Sequence, residues 1–249
     1  MTLSVSNLSK SYLENNQEVE VFRNIDISLE KGSFVSLIGP SGSGKSTFLN
    51  LISGIECPDT GKVYLNGKDI TGTSGNVGYM FQKDLLLPWR TLEQNVRLGC
   101  DLRGFDKKTT ADETSKWLER FGLLEFGDYY PHQLSGGMRQ RGALLRTILF
   151  GQSTLLLDEP FGALDALTRR EMQYWLLSIW NEMQNTVLFV THDIEEAILL
   201  SDQIIVLSKR PAEIVEIMDV PFPRPRKPEL ILSHEILELK KKLFHLLNT

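Results

Sequence analysis

The stretch Gly39-Pro40-Ser41-Gly42-Ser43-Gly44-Lys45-Ser46 constrains this chain more than any other feature. It fits GxxxxGK[ST] in the context that pattern requires. Ser33-Phe34-Val35-Ser36-Leu37-Ile38 reads as a buried strand before it, and residues 46–53 read as a helix after it. Glycines let the backbone curl until successive N–H groups converge on one anion, and the helix N-terminus adds partial positive charge. Lys45 is placed to reach the β- and γ-phosphates and the Ser46 hydroxyl to ligate Mg²⁺, with Thr47 completing the expected contact. A Gly/Ser-rich turn arising by chance has no need of the Lys-Ser ending or the strand–helix frame. A nucleoside triphosphate is implied, although kinases, GTPases and motors all share such a loop.

Thr154-Leu155-Leu156-Leu157-Asp158-Glu159 narrows the choice. An apolar strand delivers Asp158 to its carboxyl end beside the phosphate loop, where it can hold Mg²⁺ through water. Glu159, one residue further, is suited to orient and partly deprotonate an attacking water, help worth about 10²–10⁴ in rate. Two solvated acids ending a strand are the plain alternative, which weakens once a phosphate loop stands upstream. Leu134-Ser135-Gly136-Gly137-Met138-Arg139-Gln140-Arg141 then opens an apolar helix with a second anion-binding N-terminus. One loop already satisfies a nucleotide. The simplest use of Ser135, Gly136 and Gly137 is therefore in trans, on the γ-phosphate held by another copy. That predicts a head-to-tail dimer with ATP at the interface.

Elsewhere the patterning is of two kinds. Val5 to Leu8 and Val21 to Leu29 alternate as antiparallel edge strands, and Val63 to Leu65 and Val77 to Phe81 read as further strands. Asn66-Gly67 is expected to be a hairpin turn linking Val63–Leu65 to the strand after it. From Thr91 to about Phe150 helical spacing takes over, in Thr91–Val96, Thr110–Phe121 and Gly136–Phe150, which reads as an inserted helical subdomain. Strands return at Thr154–Leu157, Thr186–Thr191 and Gln203–Leu207. Between the first two, Met172, Trp175, Leu176, Ile179, Trp180 and Met183 fall on one helix face, as core. Buried strands alternating with helices imply a mainly parallel sheet covered on both faces. Pro221 to Pro228 reads as an extended linker. After it Leu232, Ile236, Leu239, Leu243 and Leu246 mark a terminal helix expected to dock onto the body. Residues 1–220 are thus expected to be one domain with a helical subdomain at about 91–150, followed by a Pro-rich linker and C-terminal helix over 221–249.

Composition removes several classes. A net charge of −5 argues against broad nucleic-acid binding, which needs a basic face, and leaves room only for a local basic patch. Cys57 and Cys100 have no CxxC or metal-ligand spacing and read as two reduced thiols. The start MTLSVSNLSK lacks the basic-then-apolar form of a signal peptide. Leu144 to Leu157, interrupted by Arg146 and Gly151-Gln152-Ser153, falls short of the roughly 20 apolar residues of a membrane span. Work at a membrane is expected from its cytoplasmic face, peripherally and through a partner.

From about residue 3 to 210 the chain resembles the ATP-binding cassette (ABC) ATPases, and the resemblance implies an α/β P-loop NTPase core with a mainly parallel sheet, an antiparallel β subdomain and an inserted helical subdomain. Leu134-Ser135-Gly136-Gly137-Met138 looks like the family's signature motif, with Met138 where Gln is more usual. Gln82, in Tyr79-Met80-Phe81-Gln82, matches the Q-loop glutamine that senses Mg²⁺ and links to the membrane partner. Ala163-Leu164-Asp165 matches the D-loop that crosses the dimer interface, His192 matches the switch histidine that contacts the γ-phosphate, and Tyr12 stands where the family stacks an aromatic on adenine. A lone Gln after a strand, or a lone His or Tyr at a strand end, is ordinarily structural. The order Lys45, Gln82, Ser135, Glu159, Asp165, His192 distinguishes this chain. The implied cofactors are ATP and Mg²⁺. The implied partners are a second cassette, expected to be identical, transmembrane permease subunits and an extracytoplasmic solute-binding protein.

A short cassette without a fused membrane domain is similar to bacterial importer subunits. Ser208-Lys209-Arg210-Pro211, the prolines from Pro221 to Pro225, and Pro88-Trp89 resemble the nitrate/sulfonate/taurine group, which extends to other small anions and to thiamine-precursor vitamins. Leu86, Leu87, Pro88 and Trp89 are expected at the permease's coupling helix; Trp89 fits the core of the helical subdomain equally well. Soluble cassettes of DNA repair or translation, the remaining alternative, usually carry a coiled-coil insertion or a second cassette, and neither is evident.

Overall fold

The computed structural model describes residues 2–162, 164–224, 226 and 233–248, with backbone alone for 107–109. Period-two patterning opens the chain as a long antiparallel hairpin of β1 (Leu3–Glu14) and β2 (Gln17–Leu29), which buries Leu3, Val5, Val21, Ile25 and Leu29. β3 (Phe34–Ile38) is buried along its whole length and leads into α1 (Lys45–Ser53). β4 (Thr60–Leu65) pairs with β1. Asn66 and Gly67, at φ +51° and +78°, then turn it back onto β5 (Lys68–Asp69), the double positive φ that favours Asn-Gly. The hairpin partner is therefore Lys68–Asp69. The apolar run beyond it forms β6 (Gly78–Met80) in a different sheet, parallel to a strand 77 residues downstream. Strands β2-β1-β4-β5 make a four-stranded antiparallel sheet.

Helices then occupy the chain: α2 (Leu92–Val96), α3 (Leu98–Leu102), α4 (Lys107–Arg120) and α5 (Gly136–Leu149). α2 starts at a reciprocal cap, Gln94 N–H donating to Thr91 Oγ1 and Thr91 N–H to Gln94 Oε1. The remaining core alternates β7 (Thr154–Asp158), α6 (Ala166–Met183), β8 (Thr186–Val190), α7 (Ile194–Leu200) and β9 (Gln203–Leu207), closing with β10 (Ile214–Asp219). The six-stranded sheet runs β10-β9-β3-β8-β7-β6, parallel except for β10 at its edge. On one face Met172, Leu176 and Trp180 of α6 pack on Phe34 and Phe189 together with the helical segment, so these aromatics are core. On the other face Phe48, Leu49 and Ile52 of α1 pack between the two sheets. The phosphate loop leaves β3 at the carboxyl ends of the parallel strands, where such sheets present their sites.

In the tail, α8 (His234–Asn248) docks on the body: Ile236 and Leu243 are buried, with Leu239 and Leu246 packed beside them, against Ile198 of α7 and Val206 of β9. Leu232 lies outside the described residues, as do Pro225, Lys227 and Pro228. Within the expected extended linker, the described residues Arg224 and Arg226 are anchored to the body. Arg226 is buried and donates to the carbonyls of Ile198 (2.8 Å), Leu199 (3.1 Å) and Ser201 (2.5 Å). A helix end leaves its last carbonyls without intrahelical donors, and Arg226 supplies them for α7. Arg224 adds an ion pair to Asp202 at 2.9 Å. Among the described residues no helix is long and apolar enough to cross a membrane.

Candidate active site

Gly44 sits at φ +100° as N-cap of α1 and contributes no side-chain cap; a Cβ there would meet Val21 Cγ1 at 2.6 Å and Phe22 Cζ at 2.8 Å. Only glycine fits, and the first N–H groups of α1 stay open for an external acceptor. Lys45 follows, nearly buried. Its ammonium donates to the carbonyls of Gly39 (2.9 Å) and Pro40 (3.0 Å) of its own loop. Burial holds its pKa below the usual lysine range, against the pull of Glu159 and Asp158. The loop thus stores a partly desolvated cation on weak neutral acceptors, ready for a stronger, charged one.

The acidic pair ends β7. Asp158 is buried; burial raises its pKa, while a bond from the Ser46 hydroxyl and the charge of Lys45 pull it down. Glu159 adopts φ +43°, which turns its carboxylate out of the strand line and into the mouth of the loop. Its Oε2 there accepts from Gln82 Nε2 at 3.2 Å and lies 3.1 Å from His192 Nδ1. Three residues that are 77 and 33 positions apart in sequence thus share one oxygen.

Ser41, Gly42, Gly44, Lys45, Ser46, Thr47, Gln82, Glu159 and His192 line one cleft of about 600 Å³. Tyr12 stands at its edge: its hydroxyl bonds Glu56 and interacts with Thr47, and burial together with Glu56 pushes its pKa up to about 12. Arg210 also lines this cleft, and no motif singled it out for the nucleotide. It belongs to the Ser208–Pro211 turn, where Ser208 Oγ accepts from Glu213 N–H at 3.0 Å and Ala212 N–H donates to Val21 O at 2.8 Å. The sequence signal for it is the Ser208-Lys209-Arg210-Pro211 run.

Ser135, Gly136, Gly137 and Asp165 do not line the cleft within the chain. Ser135 caps α5, accepting from Met138 N–H at 3.3 Å, and Asp165 caps α6, accepting from Leu167 and Thr168 N–H at 3.2 and 3.1 Å. Ala163 lies outside the described residues. The segment after Gln82 is fastened to α5: Arg139 Nε meets Asp84 Oδ2 at 3.1 Å, and Arg146 donates to the carbonyls of Asp84 (2.7 Å) and Leu85 (2.8 Å). Leu86 is buried there, whereas Trp89 is 71% exposed and so is not a core residue.

The arrangement can bind a polyphosphate and aim a carboxylate at a water beside it. The ABC transporter family model matches residues 22–162. The aliphatic sulfonates import ATP-binding protein of Bacillus cereus is 42% identical over 98% of this chain and 94% of its own length. The nitrate import ATP-binding protein of Synechocystis is 40% identical, over 90% and 84%. Among solved structures, a dimeric post-hydrolysis state of an ATP-binding cassette bound to ADP and Pi matches with a TM-score of 0.78 at 29% identity, across 89% of this chain and 100% of that one. The chain belongs to the ABC transporter family, as an ATP-binding cassette that hydrolyses ATP.

Proposed function

We propose that this cassette is one half of an ATP-sandwiching pair that powers solute import through a separate permease. The observation that carries this reading is the convergence of Gln82 and His192 on Glu159 Oε2 at the mouth of the phosphate loop. In this reading residues 39–47 and Lys45 hold the triphosphate, with Tyr12 at the adenine end. Glu159 takes the proton of the attacking water and His192 faces the γ-phosphate. Ser135, Gly136 and Gly137 complete the pocket from the opposite subunit, next to its Asp165. The dimeric state of the solved cassette supports that pairing.

Mg²⁺ fits the donor set. Ser46, Gln82 and Asp158 offer hard oxygen ligands, and among the described residues no cluster of three or more His, Cys, Asp or Glu forms a self-sufficient metal cage. This suits an ion shared with phosphates and water, which would neutralise phosphate charge. ATP brings negative charge that Lys45 and two helix N-termini offset, drawing the subunits together; loss of the γ-phosphate removes it and the pair opens.

The permease contact is assigned to the face beside residues 84–90. An apolar groove of about 260 Å³ is lined by Tyr79, Phe81, Leu98, Leu102, Phe150 and Arg146, the last of which holds the carbonyls of Asp84 and Leu85. Exposed Trp89 follows in the same segment. The relatives named for sulfonate and nitrate import support a small anion as the solute, which an extracytoplasmic binding protein would deliver. The cassette would then sit peripherally on the cytoplasmic face. The test is Glu159→Gln followed by light scattering with Mg²⁺ and ATP. A stable dimer without turnover is expected; a monomer at saturating nucleotide, or normal hydrolysis, overturns the reading.

A further inference from the structure

Glu196, in the first turn of α7, is only 6% exposed and takes no part in the nucleotide cleft. A buried carboxylate is costly unless its oxygens are bonded. Both are: Oε2 accepts from Thr191 Oγ1 at 2.6 Å, and Oε1 accepts from Gln173 Nε2 at 3.0 Å. Burial raises its pKa; the Thr191 hydroxyl opposes this, Asp193 adds to it, and Gln173 and Arg169 counter it.

The two partners belong to different parts of the molecule. Thr191 Oγ1 also accepts from Asp193 N–H at 3.0 Å, so the hydroxyl closes the turn that presents His192. Gln173 lies on α6, two helical turns beyond the cap Asp165. An apolar side chain of similar size would fill this space without desolvating a charge, so what the carboxylate adds is direction.

We propose that Glu196 is a positioning residue that locks the turn bearing His192 onto α6, so that His192 and the helix end bearing Asp165 move as one unit during turnover. This rests on the dimeric ATPase reading above and deepens it. Glu159 and His192 perform the chemistry; Glu196 touches neither substrate nor reacting atoms.

The test is steady-state ATPase kinetics with thermal melting on Glu196→Leu, Glu196→Gln and Gln173→Leu. Glu196→Leu removes both acceptors and should lower kcat about tenfold or more, with KM for ATP nearly unchanged. Glu196→Gln should keep most of kcat, because Gln173 can flip its amide and return an acceptor to the new NH₂ group. Gln173→Leu cuts the link to α6 alone; it leaves Glu196 Oε1 without a donor and should lower Tm by a few degrees, and it should lower kcat several-fold when assayed well below that Tm. The inference is overturned if Glu196→Leu or Gln173→Leu keeps wild-type kcat. It is equally overturned if Glu196→Gln loses as much as Glu196→Leu, or if kcat falls only in step with Tm. Glu159→Gln serves as control: if it still hydrolyses ATP, the underlying site assignment has failed, independently of Glu196.

Discussion

The N-termini of α1 and α5 have similar glycine-rich approaches and opposite internal arrangements. At α1 the cap is Gly44, no side chain closes the first turn, and a buried lysine waits beside the open N–H groups. At α5 Ser135 already accepts from its own helix, and the nearest cation, Arg139, is engaged by Asp84 and the Leu134 carbonyl at 2.7 Å. The first end has, within one chain, the open N–H groups and the cation that the proposed phosphate site needs. The second is a capped, exposed helix start whose Arg139 is already engaged, which suits the proposed role of completing a phosphate site held by another subunit. Sequence resemblance between two glycine-rich helix starts therefore does not make them equivalent, because what fills the first turn decides the role.

That contrast can be broken in four ways. Glu159→Gln should lower kcat by about 10²–10⁴ while leaving nucleotide binding at the α1 end intact, measured by phosphate release and nucleotide titration. Lys45→Ala removes charge-assisted bonds worth about 1.5–3 kcal/mol, so nucleotide affinity should fall roughly 10- to 100-fold in fluorescent-ATP titrations. Ser135→Arg should act on the other end alone. Monomer affinity for ATP should hold while the nucleotide-dependent dimer disappears from light scattering, and parallel loss of both would mean that Ser135 supports the fold instead. Ser135→Ala should be mildest, costing about 1 kcal/mol of stability in denaturant melts through loss of the Met138 cap.

Local patterns made much of the fold and most of the cleft readable. The strand–loop–helix around Lys45, the strand delivering Asp158, and the helix start at Ser135-Gly136-Gly137 all depend on residues within a few positions of each other. What stayed hidden depends on distant partners. The Pro221–Pro228 stretch has linker composition, yet Arg226 is bonded to carbonyls 25 to 28 residues earlier. Asn66-Gly67 announced its turn but not which segment it pairs. Trp89 suits packing and exposure equally as a residue type, and only the fold, which buries Leu86 of the same segment instead, leaves it outside. Arg210 enters the cleft because β9 ends beside β3, a sheet neighbour that no periodicity reveals.

The clamp of Arg226 on α7 has a practical consequence. With seven residues, α7 is a rod of about 10 Å, with His192 just before one end and Arg226 gripping the other. Truncation at the proline-rich boundary, a tempting place to trim or graft, would release the far grip and loosen the rod whose near end aims the histidine. Tags and fusions belong after Asn248, where α8 and the grip stay whole.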